Sequence, residues 1–187
     1  MTRPRLGEPL TYPVAGLLED VAGSTRVYPV SGVTIGLDDD LELADSIEGR
    51  VRLTRTNRGL VVDAALRTAV VATCSRCLKE IEVPIDLEIR EEALPSVELA
   101  TGIPLGTAGE PDVLRLTAHH ELELEPVVRD EILLAEPIAP LCRPDCPGLC
   151  ATCGRELDGG RHDHIEEIDT RLAALLGFTV DGEAKTD

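Results

Sequence analysis

The sequence predicts an α+β fold: a predominantly antiparallel β core, a few short helices and a zinc-knuckle-like C-terminal segment. Three observations carry that prediction. Around residues 51–53 and again over 81–89 apolar residues recur at every second position, the period of a strand with one buried face, and a Val- and Ala-rich extended run at 60–73 lies between them. Helical spacing is confined to two short stretches, one after Pro126 and one after Asp169. Four of the six cysteines of this 187-residue chain fall between Cys142 and Cys153, among Gly and Pro rather than among core-forming residues.

Taken in order, residues 1–26 mix short apolar pieces with Gly and Pro and read as an N-terminal extension. A β-rich core is expected over 27–140. It opens with a short strand at 30–35 and an acidic run (Asp38, Asp39, Asp40, Glu42, Asp45 and Glu48) that reads as a solvated loop. Val51 and Leu53 alternate with Arg50, Arg52 and Thr54, which predicts a half-buried strand. Asn57 and Gly59 supply turn chemistry, and residues 60–73 return as a Val- and Ala-rich strand that runs into Cys74. A third strand is expected over 81–90, with Pro84 favouring an edge. Residues 93–112 carry repeated Gly and Pro and read as a mobile loop. Glu121, Glu123 and Glu125 alternate with Leu122 and Leu124, a short strand. Pro126 then opens a helix that runs to about 135 and is stopped by Pro137. Residues 141–178 form a Cys/His-rich segment ending in a short helix capped by Asp169, and 179–187 read as a disordered tail.

Composition narrows the function classes. Lys and Arg number 18 against 35 Asp and Glu, a net charge of −17, and aromatics are only 2% with no Trp. Such a chain repels a phosphate backbone at long range unless its basic residues are segregated. One local reversal exists: Arg50, Arg52, Arg55 and Arg58 lie in or beside the first hairpin with no acid among them, and are the candidate RNA contacts. A basic protein partner is electrostatically easier. Asp63 and Arg67 interrupt the most apolar stretch, and no apolar region follows Arg3 and Arg5. The expectation is therefore a soluble cytoplasmic protein, with no membrane partner and with reduced thiols.

Clustered reduced thiols point to metal. Cys150-x-x-Cys153-Gly154 has the spacing with which two thiolates wrap one ion, and the Gly permits the tight turn. With His162 and His164 it would complete a tetrahedral Cys₂His₂ site. Cys142 and Cys146 then pair with Cys74 and Cys77, or else join Cys150 and Cys153 in a single Cys₄ site; spacing leaves both open. Cys74-Ser-Arg-Cys77 has a rival reading as a thiol-redox pair, with Arg76 lowering the thiol pKa values, but no helix pattern begins at it. His119 and His120 read as surface residues, and no catalytic constellation is found.

Several of these pieces together resemble the YceD family of large ribosomal RNA subunit accumulation proteins. They are the hairpin through Asn57-x-Gly59-Leu60, the Cys74-Ser-Arg-Cys77-Leu78 step, Leu133-Leu134-Ala135-x-Pro137, the run from Leu141-Cys142 to Cys153-Gly154, and the Asp169-x-Arg171-Leu172 ending. The likeness spans residues 27–178, in a cysteine-rich form like that of high-GC Gram-positive bacteria. It implies a non-catalytic role in accumulation and maturation of large-subunit ribosomal RNA. The implied partner is a large-subunit precursor, or a basic ribosomal or assembly protein. Ala151 and Thr170 stand where Pro is common, and His162-x-His164 where many relatives carry Cys-x-Cys, an exchange a zinc site tolerates. Because some members lack the cluster, one or two structural zinc ions are expected rather than a catalytic one.

Overall fold

The computed structural model describes residues 10–37, 41–106, 113–157, 164 and 171. The chain divides into two compact units, residues 1–146 and 147–187. In the first unit the element order is β1 (Thr11–Pro13), α1 (Ala15–Glu19), β2 (Thr25–Val33), β3 (Glu42–Arg55), β4 (Leu60–Thr73), β5 (Glu80–Leu94), β6 (Leu114–Arg115), β7 (Glu121–Glu123) and α2 (Glu125–Ala135).

β2 to β5 form an antiparallel meander, and β6 adds a short parallel pairing at the end of β5, so the sheet order is β2-β3-β4-β5-β6. Alternation builds it. On β4, Leu60, Val62, Ala64, Leu66 and Val70 are buried, and Ile85, Leu87 and Ile89 continue the same face on β5. Each fully buried Val, Leu or Ile stabilises the fold by roughly 1.5–3 kcal/mol. The face is covered by Leu17 and Leu18 of α1 and Val128 and Ile132 of α2, and by Tyr12 and Leu122 of the two-stranded β1-β7 ribbon; all belong to one core. With so few aromatics, Tyr12 and Tyr28 are the ring pair found, centroids 4.9 Å apart. Burial, with Tyr28 adding, pushes the Tyr12 phenol up to about 12.

Two expectations change. The segment read as an N-terminal extension is, from Leu10 onward, part of the fold: Thr11 to Pro13 pair with Glu123 to Glu121, and Val14 and Leu17 are fully buried. Its alternation is too short to stand out in the chain. The acidic run is a strand from Glu42, because Ile47 is fully buried and two register shifts against β4 absorb the irregular spacing. Gly49 is required there: its φ is +146°, and a Cβ would sit 2.2 Å from the Ala65 carbonyl oxygen. Asp38, Asp39 and Asp40 lie outside the described residues.

Pro84 pairs with Ala69 and directs its nitrogen away from β4, to the side of β5 that has no strand partner at this position among the described residues, the edge position expected of it. Residues 96–105 close into a small loop through Glu98 N–H to Ile103 O and Leu105 N–H to Ser96 O. α2 begins one residue before Pro126. The helix expected after Asp169 and the tail over 179–187 fall outside the described residues. Among the described residues no helix is long and apolar enough to cross a membrane.

Candidate metal centres

β4 and β5 are joined by a knuckle that carries the first cysteine pair. Cys74 N–H donates to Lys79 O (2.8 Å), and Leu78 N–H returns to Cys74 O (2.9 Å). The loop after α2 brings up the second pair: Ser75 N–H donates to Pro140 O (2.9 Å), and the Arg76 guanidinium to Cys146 O (2.9 Å). The sulfurs of Cys74, Cys77, Cys142 and Cys146 all lie within 4.8 Å of one another. Cys74 Sγ is 3.9 Å from Cys146 Sγ, and Cys77 Sγ is 3.7 Å from Cys142 Sγ. A tetrahedron with metal–sulfur bonds of about 2.3 Å has edges of about 3.8 Å. The donor set therefore has the spacing of a closed four-sulfur site, with three of its four residues buried.

The electrostatics agree. Backbone N–H groups of Cys77, Cys142 and Arg76 aim at Cys74 Sγ and hold its thiol down to about 6. Arg76 thus acts through its amide, while its side chain ties down the Cys146 carbonyl. Neighbouring sulfur, first Cys146 and then Cys77 and Cys74 alongside burial, pushes Cys142 up to about 12. The Lys79 N–H lowers Cys77, but burial and the sulfurs of Cys74 and Cys146 outweigh it and leave that thiol raised. Oriented amides favour one thiolate and crowding opposes four. A bound cation would resolve the conflict by neutralising them together.

The second unit repeats the knuckle. Cys150 N–H donates to Arg155 O (2.7 Å), and Gly154 N–H returns to Cys150 O (2.9 Å), the same two bonds at the same spacing. N–H groups of Cys153 and Thr152 hold the Cys150 thiol down to about 6. Gly154 takes φ +68°; Leu78, its counterpart in the first knuckle, takes φ +59° with a side chain 64% exposed. A left-handed conformation costs an ordinary residue roughly 1–2 kcal/mol, so the leucine is a departure that no spacing argument anticipates. Cys150, Cys153 and His164 bring their donor atoms within 4.8 Å, with Cys150 Sγ 3.1 Å from His164 Nε2. His162 lies outside the described residues. Both sets are donor arrays able to hold a metal ion. Cys142 and Cys146 group with Cys74 and Cys77, the first of the two partitions that spacing left open.

The arginines separate by strand parity. Arg50 and Arg52 lie on the open face of β3, opposite Ala65 and Asp63. Arg55 lies on the core face with Val51 and Leu53, where its guanidinium donates to Leu18 O (3.0 Å), Gly59 O (3.1 Å) and Thr56 O. It is committed to holding α1 and the hairpin turn, which removes it from the RNA-facing set. Arg58 sits in that turn, its N–H on Thr56 Oγ1. The open face is mixed rather than basic: Asp63 pairs with Arg90 at 3.7 Å, and Glu88 follows on β5. His119 and His120 occupy the turn before β7.

A family model described as Large ribosomal RNA subunit accumulation protein YceD matches residues 62–179, which include every cysteine above. The chain is similar to an uncharacterized protein of Mycobacterium tuberculosis, 32% identical over 131 residues, 68% of this chain and 60% of that protein. It is also similar to one of Mycobacterium leprae, 28% identical over 141 residues, 73% of this chain and 62% of that protein. The chain thus covers about 60% of the length of these curated relatives. No solved structure matches. With the match extending over more than half of its length and through both knuckles, the chain belongs to the YceD family.

Proposed function

We propose that the protein is a non-catalytic cytoplasmic factor in the accumulation and maturation of large-subunit ribosomal RNA, acting by binding the large-subunit precursor or a basic protein on it. The observation that carries this reading is the family match across both cysteine pairs of the first unit and the second knuckle. Two zinc ions serve as structural clamps. Cys74, Cys77, Cys142 and Cys146 would hold one, a soft all-sulfur set with no coordination position left for substrate or water. Cys150, Cys153 and His164 would hold the other, with His162 as the expected fourth donor. The net charge of −17 favours a basic protein surface, and direct RNA contact falls to Arg50 and Arg52.

Depletion and sedimentation test the reading. Depletion is expected to lower large-subunit RNA selectively, and purified protein is expected to co-sediment with large-subunit precursors, less so as salt rises. RNA loss without particle association would overturn the binding mechanism. A thiol titration separates the redox alternative: metal-held cysteines react only after chelation, whereas a Cys74/Cys77 redox pair reacts or is oxidised throughout.

A further inference from the structure

In the four-cysteine centre each sulfur of the β4–β5 knuckle lies against one sulfur of the loop after α2. Cys77 Sγ is 3.7 Å from Cys142 Sγ across 65 residues of chain, and Cys74 Sγ is 3.9 Å from Cys146 Sγ across 72. A disulfide spans about 2.05 Å, so each crossing pair is a small side-chain adjustment from a covalent bond. The backbones on the two sides are already tied, by Ser75 N–H to Pro140 O and by the Arg76 guanidinium to Cys146 O, both at 2.9 Å. Cys142 is exposed while Cys74, Cys77 and Cys146 are buried, so a solvent-borne oxidant meets Cys142 first. Two local pairings compete, Cys74 with Cys77 and Cys142 with Cys146. Loop-closure entropy favours these short rings in an unfolded chain, and only the fold favours the crossing ones. The local rings would also leave the knuckle and the loop untied.

We infer that the centre is a redox latch with two closed states. In one, four thiolates share a zinc ion. In the other, Cys77–Cys142 and Cys74–Cys146 disulfides cross the same junction. The inference deepens the zinc-clamp reading above and rests on it. In the reduced, zinc-free centre the oxidant is a peroxide, ROOH. Cys142 sulfur attacks its terminal oxygen, the O–O bond breaks, and a Cys142 sulfenic acid and the alcohol ROH form. Cys77 sulfur then attacks Cys142 sulfur, the S–S bond forms, and the oxygen leaves as water. Two thiols have given up two electrons and two protons, and the peroxide has taken both. A second equivalent joins Cys74 to Cys146 by the same steps. The disulfides consume the sulfurs that zinc needs, so the oxidised centre takes no zinc until a thiol reductant opens it. Conversely, zinc-held sulfurs are withheld from the peroxide. Either state ties the end of the sheet to the loop, the disulfides by closing long spans of chain.

Disulfide mapping tests this in the full chain carrying Cys150→Ser and Cys153→Ser, which keeps these four cysteines alone. Zinc-loaded, chelator-stripped, and stripped and urea-unfolded samples are treated with hydrogen peroxide and blocked. Trypsin and Asp-N then separate Cys74 from Cys77 at Arg76, and Cys142 from Cys146 at Asp145, for non-reducing mass spectrometry. In the stripped folded protein Cys77–Cys142 and Cys74–Cys146 are expected to outnumber the local pairs at least tenfold. Urea is expected to reverse that ratio, and zinc loading to lower all disulfides at least tenfold. The oxidised protein is expected to take up zinc only after dithiothreitol. It is also expected to melt at least about 5 °C above the reduced zinc-free form. Local pairs dominating in the folded protein, a ratio unmoved by urea, or full zinc uptake by the oxidised protein overturns the inference. Reduced protein that takes up no zinc overturns the zinc reading instead, and the disulfide map of that sample still decides the crossing pairs.

Discussion

At the scale of single residues, environment decides what chemically identical side chains do. Cys150 is half-buried with its thiol held down to about 6, whereas Cys142 is exposed but pushed up to about 12. In metal-stripped protein at pH 7, iodoacetamide is therefore expected to modify Cys150 well before Cys142, which mass spectrometry of the timed reaction checks. Equal rates would mean that the amide cradle at Cys150 does not form without metal. The arginines divide in the same way. Arg55→Ala removes a part-buried cation bonded to three carbonyls, and a loss of about 1–3 kcal/mol is expected in urea unfolding. Arg50→Ala and Arg52→Ala on the open face are expected to stay within about 0.5 kcal/mol.

At the scale of elements, the two knuckles are the same turn put to different tasks. The first joins two strands of 14 and 15 residues and receives the loop that follows α2, so its metal would clamp the end of the sheet to the segment carrying Cys142 and Cys146. The second lies in a unit of its own. Cys74→Ser is expected to remove one zinc equivalent and lower the melting temperature of the sheet. Cys150→Ser is expected to remove the other and leave that transition nearly unmoved. Elemental analysis with calorimetry checks both, and an equal effect of the two variants would contradict separate centres.

For the whole molecule, the thiols link folding to pH. Cys74 and Cys150 have folded-state pKa values near 6, below the ordinary thiol value of 9.0, so the unfolded chain binds more protons between these limits. Their contribution is fully present above pH 9 and is lost as pH falls through about 6. Cys142 acts in the opposite sense, its contribution being present below pH 9 and lost as pH rises through about 12. The metal-free protein is expected to gain stability from pH 6 to 9 in urea titrations, and the zinc-loaded protein to keep its metal through pH 6 and release it only at lower pH, because a bound cation holds its thiolates against protonation. A flat profile for the metal-free form would show that neither amide cradle survives metal removal.

The β core was legible in the chain because alternation at Val51–Leu53 and Ile81–Ile89 flanks a Val- and Ala-rich run at 60–73, so local pattern and final burial coincide. The helix after Pro126 and the role of Pro84 were legible for the same reason: backbone chemistry acts locally. The cysteine spacing likewise announced a donor array at Cys150 and Cys153, whose sulfurs lie close enough together to hold a metal ion. Which thiols lie together was not legible, because Cys74 and Cys142 are far apart in the chain and are brought together by tertiary contacts, among them the Ser75–Pro140 and Arg76–Cys146 hydrogen bonds. The strand at Glu42, the core position of Arg55 and the leucine in a glycine's conformation were hidden too. Each depends on which face a neighbouring strand covers, and that is set by packing between segments rather than by any residue's own propensity.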